Sequence, residues 1–122
     1  MKKKEVKTNL SQEQHTNMLD PEKPMFPISV VADILKVHQR TLRIYDDENI
    51  LVPSRSQKNR RLYSFNDIER GKFIQFMTQN LGINLAGIKI IIHLLKQQKI
   101  PPTQYLDHIN QAGQELNILK QN

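Results

Sequence analysis

Two short amphipathic runs, parted by a break at Val37-His38, constrain this chain more than any other feature. The first opens behind Phe26-Pro27-Ile28, where Ser29 is placed to cap a helix carrying Val30, Val31, Ile34 and Leu35 on its apolar side. The second runs from about Gln39 to Glu48, with Leu42 and Ile44 turned inward. Two such short helices, separated by about three residues, predict a helix-turn-helix.

Asn49 tolerates the left-handed conformation that ends a helix. Ile50-Leu51-Val52 then reads as a strand closed by Pro53, Ser56-Gln57-Lys58-Asn59 as a turn, and Arg61-Leu62-Tyr63 as a second strand. Together they predict a small two-stranded wing. Ser64-Phe65-Asn66-Asp67 has the form of a capping box with Asp in the place of Glu, and it opens a helix carrying Ile68, Phe73, Phe76, Met77 and Leu81. Gly82 stops that helix. Asn84 caps the next, whose stripe is Leu85, Ile88, Ile91, Ile92 and Leu95.

After Pro101-Pro102, Thr103 starts a last helix in which Tyr105, Ile109, Ala112, Leu116 and Leu119 recur at coiled-coil spacing. A helix this short must pack on its own domain or on a second copy of the chain, and the pattern fits both. The expected fold is mainly α. A flexible polar tail covers 1–24, a winged helix-turn-helix 25–98, and a C-terminal helix 102–122.

Charge narrows the function. The net charge is +6, and all six arginines lie between Arg40 and Arg70. From Asn49 to Phe65 stand Arg55, Lys58, Arg60 and Arg61 with no acid among them, a concentration that points to a polyanionic partner. Zero cysteines exclude disulfides and thiolate chemistry. The histidines His15, His38, His93 and His108 are scattered outside any ligand-pair motif, and four glycines draw neither a P-loop nor a dinucleotide fingerprint. An enzyme is not expected, nor a cofactor or bound metal. The basic start MKKKEVKTNL has no apolar stretch behind it, so neither a secretory signal nor a membrane partner is expected and the cytoplasm follows.

On the second helix Arg40, Arg43 and Asp47 lie three and four apart, so the arginines share a face while Leu42 points away. Guanidinium forks match phosphate oxygens or the guanine edge, Tyr45 offers a phenol to phosphate, and Thr41 is short enough for a backbone or thymine-methyl contact. Arg55, Lys58, Arg60 and Arg61 extend the same surface toward flanking phosphates. Tyr63 fits either a buried ring or a phosphate contact. A competing arrangement pairs Arg40 and Arg43 with Asp46 and Asp47 on the helix surface, which would silence the face.

Thr41-Leu42-Arg43 with Tyr45, Leu51-Val52-Pro53-Ser54-Arg55, Arg61-Leu62-Tyr63-Ser64, and Leu81-Gly82 before Leu85 stand in order between Ile28 and Leu95. In this order they resemble the winged helix-turn-helix domain of the MerR family. His38, the wing Arg60-Arg61-Leu62-Tyr63-Ser64 and the run Gly82 to Ile88 are most similar to the HspR-type heat-shock repressors. Asn49 stands where many members have Gly, and Asn59-Arg60 where many have Gly-Tyr, making this wing more basic. The cysteines of metal-sensing members are missing.

The resemblance implies a homodimer that binds inverted-repeat operators before chaperone operons and represses them, with a chaperone as possible corepressor. The seam Tyr105, Ile109, Ala112, Leu116 and Leu119 would then join two protomers. No effector domain is expected beyond the last helix, and so no small-molecule ligand. The alternatives are a ligand-responsive activator and a chaperone-binding adaptor that does not touch DNA.

Overall fold

Residues with a left-handed backbone end every helix in the computed structural model, which describes residues 20–119. Helix α1 spans Ile28–Leu35, α2 Gln39–Asp47, α3 Phe65–Asn80, α4 Leu85–Gln97 and α5 Tyr105–Glu115, the last preceded by a 3-10 turn at Pro102–Gln104. The left-handed residues are Lys36, Asn49, Gly82, Lys99 and Asn117. In each case an aliphatic residue follows, Val37, Ile50, Ile83, Ile100 or Ile118, and its N–H returns to a carbonyl of the helix just ended, at 2.7–3.1 Å. That bond satisfies a carbonyl the helix leaves orphaned, and at Val37, Ile50, Ile83 and Ile100 the aliphatic side chain also packs on the core.

At the N-terminal ends the expectations hold for two helices. Ser64 and Asp67 form the reciprocal capping box at 3.0 Å each way. Asn84 Oδ1 accepts from the Gly87 N–H at 2.9 Å. Ser29 is not a cap, because α1 begins two residues earlier than such a cap would allow, at Ile28 behind Pro27. Its buried side is Val31, Ala32 and Leu35, with Val30 and Ile34 exposed. In α2 the inward pair is Leu42 and Tyr45, and Ile44 is 44% exposed. Residues two apart on a helix cannot share a face, so Leu42 excludes Ile44.

The wing differs from its expected form in two respects. Ile50 and Leu51 are buried, and both N–H groups return to the Tyr45 carbonyl, so Ile50-Leu51-Val52 serves as the cap of α2 rather than a strand. Strand β2 is Ser54–Arg55, and it pairs antiparallel with β3, Arg61–Tyr63. A further strand, β1 at Phe26–Pro27, pairs with the other edge of β3, giving the order β1-β3-β2. Pro27 sits in an edge strand, where its missing N–H costs no ladder bond.

One core joins these elements. Phe73 of α3 meets Tyr105 of α5 edge to face at 5.3 Å, and both are buried. Gly71 lets α3 approach α1 closely, since a Cβ there would lie 2.6 Å from Leu35 Cδ1 and would force that side chain to shift. The last helix is shorter than expected and its seam is divided. Tyr105 is in the core and Ile109 packs half-buried against it, whereas Ala112 is exposed and Leu116 lies beyond the helix end, 69% exposed. Leu119 folds back over Gly113.

Residues 1–19 of the expected tail lie outside the described residues. Pro21 and Glu22 contact α3: the Pro21 carbonyl accepts from Asn66 N–H at 2.9 Å, and Glu22 bonds Asn66 and Arg70. No helix among the described residues is long and apolar enough to cross a membrane.

Candidate nucleic-acid interface

With Leu42 and Tyr45 inward, the helical turn of about 100° per residue puts Arg40, Arg43, Ile44 and Asp47 on the opposite side of α2. All four are exposed. Arg43 Nη2 donates to Gln39 Oε1 at 3.2 Å, which holds the guanidinium over the first turn. Among the described residues, Arg40, Arg43, Lys58 and Arg60 form no ion pair. The surface pairing of Arg40 and Arg43 with Asp46 and Asp47 is not formed.

Asp46 turns instead to the wing. Its Oδ2 accepts from Arg61 Nε at 2.9 Å and from Arg55 Nη2 at 3.5 Å. Asp46 sits one turn beyond Arg43 on the flank of the outward face, so these bonds set the wing alongside that face. At the wing tip Ser56 Oγ accepts from the N–H groups of Lys58 and Arg60, at 3.2 and 3.1 Å, while Asn59 takes the left-handed conformation. Arg55 Nη1 spans the turn to the Asn59 carbonyl at 3.2 Å. The turn therefore carries Lys58 and Arg60 outward on a backbone tied at several points.

Tyr45 departs from the phosphate-contact expectation, whereas Tyr63 takes the buried-ring alternative. Tyr63 is fully buried, and its hydroxyl has no partner among the described residues. Burial pushes the phenol up to about 12, so it stays protonated and inward. Tyr45 is buried in the α2 core contact, and burial raises its phenol as well. The period of α2 decides this, since Tyr45 lies three residues from Leu42. Thr41 is half-buried.

A shallow polar groove between α1 and α2 is lined by Ser29, Asp33, His38, Gln39, Arg40 and Arg43. Sequence reasoning used Ser29 as a cap and Val37-His38 as a break, and passed over Gln39. The only signal for the groove was the short turn itself, which brings the two helix starts together.

A helix-turn-helix, a cation-bearing outward face and a wing pinned beside it fit duplex DNA, whose phosphates demand cations and whose major groove admits one helix. Comparison with known proteins decides the class, because residues 26–95 match the family model described as MerR HTH family regulatory protein. The chain belongs to the MerR family. Relatives include the putative heat shock protein HspR of Streptomyces coelicolor, 43% identical over 79 residues, covering 65% of this chain and 52% of the relative. The transcriptional regulator GlnR of Bacillus anthracis is 37% identical over 75 residues, covering 62% of this chain and 57% of the relative. This MerR-family chain thus spans about half the length of those relatives.

Among solved structures, the N-terminal part of the Bacillus subtilis multidrug transporter activator MtaN aligns with a TM-score of 0.53 at 26% identity. It covers 78% of this chain and 100% of that one. The family model is described as regulatory and GlnR is named as a transcriptional regulator.

Proposed function

We propose that this MerR-family regulator represses heat-shock or chaperone operons by binding inverted-repeat operators as a homodimer. One observation carries the binding mode: Arg40 and Arg43 project from the outward face of α2 without acid partners among the described residues, with the wing docked beside them. In this reading Arg40, Thr41 and Arg43 work from the major groove. Lys58 and Arg60 take flanking phosphates, with Arg55 between tip and helix. The heat-shock assignment draws on the 43% identity to HspR over 79 residues.

The working division is a tail over 1–24, tied to α3 at Pro21 and Glu22, a DNA-binding unit over 25–98 and a dimerising segment over 102–122, acting in the cytoplasm. Dimerisation uses what the fold leaves outside, Ala112 and Leu116 together with exposed Ile118, more than the buried Tyr105. A two-fold pair of such faces suits a palindromic site. A chaperone corepressor would join the complex on DNA.

Genome-wide footprinting in a strain with and without the regulator tests this. Occupied inverted repeats upstream of chaperone genes, with transcripts rising on deletion, are expected. The likeness to MtaN favours one second reading, an activator. Transcripts falling on deletion, or rising only with an added drug or metal, would support that instead.

A further inference from the structure

Arg55 and Arg61 stand directly opposite one another in the β2–β3 register. Like charges in that arrangement repel and splay a ladder. Strands of two and three residues have little of their own to resist it. Both guanidinium groups meet at the same atom, Asp46 Oδ2, on a different element.

The two arginines are not equivalent. Arg61 bonds through Nε at 2.9 Å with its side chain 20% exposed, and Asp46 is 14% exposed. Arg55 reaches Asp46 only at 3.5 Å, is 43% exposed, and divides its donors with the Asn59 carbonyl. The sheltered, short contact is Arg61–Asp46, and the open, stretched one is Arg55.

We propose that Asp46 and Arg61 are positioning residues that fix the wing against the recognition helix and so set sequence discrimination, while Arg55 is the wing-base cation that reaches phosphate. This rests on the DNA-facing reading above and revises one part of it. Arg61 acts through Asp46 rather than on DNA. Moving Arg61 to a phosphate would leave an unpaired carboxylate beside the duplex, which costs binding twice. A neutralised Asp46 instead holds the Lys58 and Arg60 tip at a constant offset from Arg40 and Arg43.

The test compares wild type, Asp46→Asn, Arg61→Gln, their double mutant and Arg55→Gln. Binding is measured on a duplex selected by wild type from a random pool and on poly(dI-dC), across a salt series, with circular dichroism to confirm folding. Asp46→Asn should lose about tenfold in preference for the selected duplex. It should hold poly(dI-dC) as tightly as wild type or more so, since a negative charge has gone. Arg61→Gln should lose the same preference without flattening the salt slope, and the double mutant should lose no more than either single change. Arg55→Gln should flatten the slope by about one unit.

Arg61→Gln that flattens the slope on both duplexes, or Asp46→Asn that tightens both with preference intact, would overturn the inference while leaving the DNA face standing. If Asp46→Asn does not fold, the salt slope of Arg61→Gln decides alone. Wild type that selects nothing and ignores poly(dI-dC) would remove the DNA face and this inference together.

Discussion

Arg70 and Arg43 are both helix-borne guanidinium groups, and the fold treats them in opposite ways. Arg70 on α3 is enclosed by carboxylates, Asp67 at 2.9 Å from its own helix and Glu22 at 3.1 Å from the segment before β1. Among the described residues, Arg43 on α2 has only the neutral Gln39. Compensated charge at Arg70 holds elements together, whereas uncompensated charge at Arg43 costs the free protein little in water and remains available to a polyanion. Between them lies Asp46, which compensates the wing base and leaves the tip and the outward face of α2 uncovered.

The contrast breaks most visibly at its structural end. Arg70→Ala removes the cation shared by Asp67 and Glu22, leaving them only their Ser64 and Asn66 hydrogen bonds, and should destabilise the fold by about 2–3 kcal/mol in thermal or urea unfolding, with DNA affinity of the folded protein unchanged. Arg43→Ala should do the reverse. Operator affinity falls by about 1–3 kcal/mol in fluorescence anisotropy while the melting curve stays put. Loss of stability in the second variant, or of affinity in the first, would erase the distinction.

Tyr63→Phe sharpens it, because removing a buried hydroxyl with no partner should stabilise by about 1 kcal/mol and leave DNA binding intact. Its pH signature has a definite sign. The buried phenol ionises near 12. An unfolded tyrosine ionises near its ordinary value of about 10. Stability is therefore full below about pH 10 and drains as pH climbs through 12, a loss that Tyr63→Phe should reduce in alkaline unfolding.

Smaller effects lie at the edges. Lys58→Ala should weaken all duplexes alike and flatten the salt slope by about one unit. Burial pushes the Glu22 carboxyl up, but hydrogen bonds from Asn66 and Arg70 and the Arg70 charge outweigh it, leaving Glu22 below its ordinary range. Its contribution is therefore present at neutral pH and lost in acid as pH falls through that lowered value. Glu22→Gln should cost under about 1 kcal/mol at pH 7 and progressively less as the solution is acidified, measured by urea unfolding.

Helix order was legible because local signals coincide: the Ser64–Asp67 box, the Asn84 cap and left-handed Asn49 and Gly82 all stand where the apolar period begins or ends. Lys36 and Lys99 were not legible as stops, since nothing in lysine announces a left-handed backbone. The aliphatic residue after each, closing on the helix behind it, supplies the reason. Ile50-Leu51-Val52 misled because a buried apolar triplet has the same composition whether it caps a helix or enters a sheet. Tyr45 was misjudged by residue type where the helical period would have sent it inward.

Periodicity, turn chemistry and the clustering of arginine by themselves determined a winged helix-turn-helix with a basic face, because each acts over a few neighbouring residues. Which charges are neutralised was decided only in three dimensions. Asp46 lies 9 and 15 residues from Arg55 and Arg61, and Glu22 lies 48 from Arg70, and no local rule couples positions so far apart until the core has brought them together.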